Sequence, residues 1–235
     1  MRMNKKIMIV PIARISDGKR VETRFASDGD LYCLNAIEGI PLKQFDNIYF
    51  VLTQKCVDVY DLNIRTIEKC ICRFAERKGA NIELIILQNE TETQADTIVS
   101  ALMQLQIFEN ATIFCKDGDS FFNINNENIC ENGLMIYNTE DCDMIDPKHK
   151  SYVSVDMNNI VTNTIEKTVI SKYFNCGGYV FSDVQDFIRT YEELFVKYKK
   201  SPRMSNIIQY LILYKNKTFN AYICDNYKDF SINYN

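Results

Sequence analysis

The residues best placed for chemistry are two acids one position apart, Asp117 and Asp119, in Asp117-Gly118-Asp119. They follow the short apolar run Ala111–Cys115, and the chain returns at once to Phe121 and Phe122. Two carboxylates with neither His nor Cys beside them suit a hard cation, Mg²⁺ or Mn²⁺, rather than zinc. Such an ion offsets the charge that develops in phosphoryl transfer. The plainer reading is an Asp-Gly-Asp turn, since these residues favour turns of any function.

Two further polar clusters follow apolar runs. Arg14, Lys19, Arg20 and Arg24 crowd one segment after the first run. Cations there suit a phosphate chain, although no G-x-x-x-x-G-K-[ST] loop is present. A solvated loop is the alternative. The stretch Gln88–Ala95 precedes a helical pattern, and Thr91 or Thr93 suits its N-cap. Capping does not account for Gln94, whose amide can read a nucleobase edge.

The elements that must position these groups are legible as alternation. Ile7–Ile12, Asn47–Leu52, Ile82–Leu87, Ala111–Cys115 and Gly133–Asn138 are apolar, β-branched and of strand length. Between them, Asp61–Lys78 and Thr91–Phe108 carry apolar residues at helical spacing. The pattern predicts an α/β fold with a largely parallel central sheet wrapped by helices. In such a sheet, ligands bind beyond the carboxyl ends of the strands, where all three polar clusters fall.

The second half changes texture. Tyr152–Asp156 and Ile160–Ile165 flank the turn-like Met157-Asn158-Asn159. Tyr179-Val180-Phe181 follows two glycines. Val184–Lys200 and Ser205–Lys215 read as amphipathic helices separated by Pro202, and Phe219–Cys224 as a last strand. No repeat or low-complexity linker interrupts the chain. The expectation is one domain over 1–235, with a first part, about 1–138, binding one substrate and a small β-rich second part, about 139–235, covering another.

Composition excludes several classes. A formal charge of −4 over 235 residues argues against broad nucleic-acid binding. No apolar run reaches membrane-spanning length, and the run Ile7–Ala13 is too short for a signal segment. Nine cysteines without a CxxC, beside one histidine, make zinc improbable. Cys56, Cys70, Cys72, Cys115, Cys176 and Cys224 lie in apolar or periodic segments, which predicts reduced, core-filling thiols and a cytoplasmic setting. Phe and Tyr in the last two helices leave room for a homodimer face.

Together the clusters resemble the sugar-nucleotidyltransferase family, the GT-A-like enzymes that join a nucleoside triphosphate to a phosphorylated sugar or small phosphorylated alcohol. The similarity is greatest to cytidylyltransferase-type members of bacterial capsule and surface-polysaccharide biosynthesis. Thr91-Glu92-Thr93-Gln94-Ala95-Asp96-Thr97 resembles the family's T-x-G-Q-A-x-T loop, with Thr93 in place of glycine. The resemblance implies that Thr93, Gln94, Ala95 and Thr97 contact base and ribose. Lys116-Asp117-Gly118-Asp119 resembles the K-D-x-D strand end, which implies Asp119 as a metal ligand and Asp117 as its helper. Glu166-Lys167-Thr168-Val169-Ile170-Ser171 is similar to E-K-K-x-I-S, and Asn175-Cys176-Gly177-Gly178-Tyr179-Val180-Phe181 to N-x-G-x-Y-x-F. Glu166, Lys167, Asn175 and Gly177 would then line the acceptor pocket. Asp225–Phe230 is similar to Y-x-D-W-G-T, which implies Asp229 as the second metal ligand.

The chain departs from the family in two places. Pro11-Ile12-Ala13-Arg14-Ile15-Ser16-Asp17-Gly18 stands where a glycine-rich loop is expected, and no lysine-proline pair follows. Phe230-Ser231-Ile232 stands for W-G-T. The resemblance implies a Rossmann-like fold and a Mg²⁺- or Mn²⁺-dependent transfer from a nucleoside triphosphate, CTP favoured, with pyrophosphate released. Arg14, Lys19 and Arg24 would balance the β- and γ-phosphates, and Lys167 would anchor the acceptor phosphate. A GT-A-type glycosyltransferase, using Asp117-Gly118-Asp119 as a D-x-D motif, is the alternative enzyme. A degenerate nucleotide-binding relative is the alternative without activity.

Overall fold

The computed structural model describes residues 4–13, 21–124, 129–142 and 146–231. Arg14, Lys19 and Arg20 lie outside the described residues. The sheet begins with β1 (Lys5–Pro11), β2 (Asn47–Thr53), β3 (Ile82–Leu87) and β4 (Ala111–Lys116). All pairings among these four are parallel: β2 and β4 flank β1, and β3 flanks β2. Side chains alternate between two cores, as a strand buried on both faces requires. Ile7, Ile9, Tyr49, Val51, Ile113 and Cys115 enter one core. Met8, Val10, Ile48, Phe50, Leu52 and Phe114 enter the other.

The helices cover these faces for reasons visible in their sequences. In α3 (Ile64–Lys78), Ile67, Cys70, Ile71 and Phe74 form the buried stripe. Asn63 caps its start by accepting from the Thr66 N–H, and Gly79 ends it in the left-handed region at φ +62°. In α4 (Gln94–Gln104), Thr93 is the cap and accepts from the Asp96 N–H. Both helices start three residues later than the periodicity predicts, because the capping side chains fix the first turn. Two short helices, α1 (Tyr32–Ala36) and α2 (Gln54–Val59), have no periodic signal at their length.

The second half joins the same sheet. Strand β9 (Tyr173–Phe181) runs antiparallel to β4 and to β6 (Gly133–Asn138), and β10 (Asn220–Ile223) runs parallel to β6. The strand order is β10-β6-β9-β4-β1-β2-β3. The hairpin of β7 (Ser151–Val155) and β8 (Val161–Glu166) leaves this path through Tyr152, which pairs with Phe174. Asp156 closes the hairpin turn by accepting from the N–H groups of Asn158 and Ile160 at 2.8 and 2.9 Å. Helices α5 (Val184–Tyr198) and α6 (Met204–Lys215) pack on the face that holds α4. The sequence marks β9 only from Tyr179; the strand in fact begins at Tyr173.

Two strands run against expectation. Strand β5 (Ser120–Asn123) and strand β11 (Asp225–Asp229) form a separate antiparallel ribbon in which Asp229 faces Ser120 and Lys228 faces Phe121. The sequence Asp225-Asn226-Tyr227-Lys228-Asp229 is too polar to read as a strand. Its partner supplies the pairing that its composition does not.

None of the nine cysteines is in a disulfide. Cys33, Cys56, Cys70, Cys115, Cys176 and Cys224 are buried, whereas Cys72 is exposed on α3, off the stripe that meets the core. Among the described residues no helix is long and apolar enough to cross a membrane.

Gly178 lies where β9 crosses between β4 and β6, and a Cβ there would meet Met135 Cβ at 2.8 Å and the Phe122 ring at 2.9 Å. Gly178→Ala should destabilise the protein by about 1–3 kcal/mol through overpacking. Urea unfolding of the two proteins measures this, and an unchanged midpoint would contradict the packing described.

Candidate active site at the carboxyl edge of the sheet

Because β1 to β4 are parallel, their carboxyl ends share one edge. The turn after β4 is fixed there by a buried cation. Lys116 is fully buried, and its ammonium donates to the Asp117 carbonyl at 2.7 Å, the Ser120 carbonyl at 2.6 Å and Ser120 Oγ at 3.1 Å. It also lies 4.6 Å from the centre of the Phe122 ring. Burial pulls the Lys116 ammonium below its ordinary range, and the charges of Asp117 and Asp119 oppose that fall.

Asp117 and Asp119 leave this turn half-buried. The Asp117 N–H donates to the Gly177 carbonyl at 2.8 Å. Gly177 has φ +95°, and a Cβ there would come within 2.8 Å of Asp117 Oδ2 and 2.7 Å of Ser120 Oγ. Only glycine combines that backbone with so close an approach to the acid. Asn175 holds the bend in place, accepting from the Gly177 N–H at 2.7 Å and donating to the Gly178 carbonyl at 3.0 Å. Asn175 and Gly177 therefore stand behind Asp117 in the fold.

The pairing of β5 with β11 brings a third acid. Asp229 faces Ser120, the neighbour of Asp119, and the Phe230 N–H donates to the Asp119 carbonyl at 2.9 Å. Burial raises the Asp119 carboxyl above its usual range, and the charge of Asp229 raises it further. Burial and then the charge of Asp119 push Asp117 up to about 6. Burial alone would push Asp229 up as well, but the Lys150 ammonium and bonds from Ser231 hold it below the usual range.

The other two clusters meet this turn. The Gln94 amide donates to Asp117 Oδ1. The rest of the Thr91–Thr97 loop is engaged in structure. Thr93 Oγ1 donates to the Pro202 carbonyl at 2.9 Å, Thr97 Oγ1 lies 2.7 Å from Thr91 Oγ1, and Ala95 is buried. Gln94 is thus the side chain of this loop that the fold turns toward the acids. From the first cluster, Arg24 is half-buried, and its segment touches the turn: a Cβ on Gly118 would meet Ile12 and Glu22 at 2.6 and 3.4 Å.

On the acceptor side, Glu166 accepts from Ser151 Oγ at 2.6 Å and Ser205 Oγ at 3.4 Å, and pairs with Arg203 at 3.7 Å. It ties β8 to the start of α6. Lys167 is exposed in the left-handed region at φ +58°, and its N–H donates to the Lys150 carbonyl at 2.8 Å. Across that bond stands Lys150, for which the sequence offers no motif. Its ammonium is 2.5 Å from Asp229 Oδ2 and 2.5 Å from the Tyr227 hydroxyl. Strand alternation is the one signal that points to it, because Lys150 shares a face with the buried Tyr152.

Among the described residues no three His, Cys, Asp or Glu side chains form a metal cage. Asp119 and Asp229 still fit a hard divalent ion, which is commonly held by one or two carboxylates with substrate phosphates and water completing its shell. The upward push that the charge of Asp229 gives Asp119 is the electrostatic reason a cation would be favoured between them.

The raised Asp117 carries a testable pH dependence. With a folded value of about 6 against an ordinary 3.8, the folded protein binds this proton more tightly than the unfolded chain. The stabilisation is full below the ordinary value and is lost as pH rises through the folded value. In metal-free buffer the native protein should therefore lose stability relative to Asp117→Asn, on the order of 1–3 kcal/mol between about pH 4 and 7. Chemical denaturation of both proteins across that range checks it. A difference that stays flat with pH would contradict the electrostatics described.

Neither a family model nor a curated protein sequence matches the chain. Solved structures do. A nucleoside-diphosphate-sugar pyrophosphorylase from Vibrio cholerae RC9 matches with a TM-score of 0.69 at 14% identity, over 92% of this chain and 91% of that one. A UDP-glucose pyrophosphorylase solved with UDP-glucose matches at 0.66 and 12%, over 96% and 93%. The inositol-1-phosphate CTP transferase of T. maritima matches at 0.65 and 13%, over 96% and 88%. The parallel strands β1 to β4, the crossing strand β9 and the flanking helices thus form the α/β, Rossmann-like fold of the sugar nucleotidyltransferases.

Proposed function

We propose that the chain is a nucleotidyltransferase that moves a nucleoside monophosphate from a nucleoside triphosphate to a phosphorylated sugar or small phosphorylated alcohol. The observation that carries this reading is the β5–β11 pairing, which sets Asp229 beside Asp119 at the carboxyl edge of a nucleotidyltransferase fold. Asp119 and Asp229 would hold Mg²⁺ or Mn²⁺, with Asp117 as the helper that Gln94 and Gly177 fix in place. The bound ion would supply a positive charge against the α-phosphate. About 1–138 would bind the nucleotide and about 139–235 the acceptor.

In this reading an acceptor phosphate oxygen attacks the α-phosphorus in line and pyrophosphate leaves. The attacking oxygen is already anionic, so no protein base is required. Arg14, Lys19 and Arg24 would offset charge on the β- and γ-phosphates. Gln94, with Thr93, Ala95 and Thr97 shaping its loop, would face the base. Glu166, Lys167, Asn175 and Gly177 would border the acceptor. CTP is the favoured donor, a choice supported by the likeness to a CTP transferase acting on inositol 1-phosphate. The product would serve as a surface-polysaccharide precursor, made in the cytoplasm.

The test is pyrophosphate release with Mg²⁺, pairing each of CTP, UTP, ATP and GTP with glucose 1-phosphate or inositol 1-phosphate. One triphosphate should be consumed preferentially, CTP on this account. Asp119→Asn should lower kcat/KM by about a hundred-fold or more, since it removes a carboxylate from the ion that meets the reacting phosphate. Consumption of a sugar nucleotide with release of a nucleoside diphosphate would instead establish the glycosyltransferase alternative. Silence with every pair would leave a nucleotide-binding relative.

A further inference from the structure

Lys150 is held in a way that surface lysines are not. Its side chain is 12% exposed and that of its partner Asp229 11%, so solvent screens the pair poorly. The ammonium is boxed by the rings of Tyr227 at 5.1 Å and Phe174 at 5.7 Å, and Tyr227 also offers its hydroxyl oxygen. The Tyr137 ring backs both, 5.6 Å from Tyr227 and 6.1 Å from Phe174. The carbonyl of Lys150 is fixed in turn by the Lys167 N–H. The chain thus builds an aromatic wall whose polar occupant is a cation aimed at Asp229.

That aim has a consequence for the acids. Asp229 Oδ2 is engaged by Lys150, while Asp229 Oδ1 accepts from Ser231 N at 2.9 Å and Ser231 Oγ at 2.5 Å. Both oxygens of the second acid are therefore taken. The other buried ammonium, Lys116, is bound to two carbonyls and a hydroxyl and does not compete for Asp229. Among the described residues, the ammonium that an incoming divalent ion meets on Asp229 Oδ2 is that of Lys150.

We propose that Lys150 is a resident counter-ion: its ammonium stands on the Asp229 carboxylate that a divalent cation needs, and the cation binds by displacing it. The identity of that cation rests on the nucleotidyltransferase reading, whereas the displacement rests on the Lys150–Asp229 geometry. An ammonium 2.5 Å from Asp229 Oδ2 repels a second cation that approaches the same oxygen. The protein without nucleotide is therefore a weak metal binder, and phosphate oxygens arriving with a triphosphate tip the exchange by completing the ion's shell. The arrangement makes metal and nucleotide bind together rather than in sequence.

The experiment measures Mn²⁺ binding to the full chain without nucleotide or acceptor, for the native protein, Lys150→Met and Lys150→Gln, by electron paramagnetic resonance of free Mn²⁺. Both variants should bind one ion about ten- to a hundred-fold more tightly than the native chain, the equivalent of one charged hydrogen bond released. Equal or weaker binding in the variants, or no binding in any of the three, overturns the proposal. A second measurement needs no variant. Amine acylation read by mass spectrometry should find Lys150 slow to react in the metal-free native protein and faster at saturating Mn²⁺, and an unchanged rate overturns the proposal. Failure of every triphosphate in the turnover assay would not touch either result, because both are read without substrate.

Discussion

Everything at the carboxyl edge depends on one buried ammonium. Lys116 ends β4 inside the protein, where a cation without partners would be costly. It is satisfied by oxygens of the turn that follows it, two carbonyls and a hydroxyl, so the turn must close around it. Closing the turn sends the side chains of Asp117 and Asp119 outward, half-buried and near a positive charge. The acids in turn oppose the loss of the Lys116 charge that burial favours. The carboxylates thus support the charge of the buried cation, while burial holds Asp117 itself above its ordinary range.

From that turn the site grows by contacts between distant segments. Gly177 gives Asp117 its backbone acceptor and the room to sit beside it. Ser120 Oγ donates to the Cys176 carbonyl at 2.9 Å, which fastens the turn to β9 a second time. The short β5–β11 ribbon then brings Asp229 from the far end of the described chain, and the ring of Tyr32 on α1 meets that of Phe230 at a tilt, with centres 5.0 Å apart. Lys150, the residue just before β7, completes the set. Five acidic or cationic side chains, Lys116, Asp117, Asp119, Lys150 and Asp229, separated by up to 113 positions, thus share one edge because the sheet is parallel on one side and crossed by β9 on the other.

Much of this frame is legible in the residues. Strands β1, β2, β4 and β6 are largely apolar runs because their middles are buried on both faces, and the edge strand β3 reads as one although Glu83 faces solvent. Helix α3 is legible from Ile67, Ile71 and Phe74, but its start waits on Asn63. Strand β11 is not legible: Asp225-Asn226-Tyr227-Lys228-Asp229 lacks apolar alternation, and it exists because β5 offers it an unpaired edge. The Asp117-Gly118-Asp119 turn is visible, yet nothing local links it to Asp229; only a likeness to a family does. Lys150 is hidden for a plainer reason. A lysine beside Lys148 and His149 reads as solvated surface, and its burial is created by Tyr227 and Phe174, which arrive from elsewhere in the chain. Thr93 and Thr97, by contrast, look like ligand contacts and are tied up in capping and in bonds within their own loop.

The account stands on Asp119 and Asp229 together forming the place where a divalent ion and a triphosphate meet. The most direct measurement is anomalous diffraction from crystals grown with Mn²⁺ and CTP. The account predicts a single strong manganese peak between the carboxylates of Asp119 and Asp229, in contact with phosphate oxygens. A manganese peak elsewhere on the chain, or a bound triphosphate whose ion touches neither acid, would contradict it.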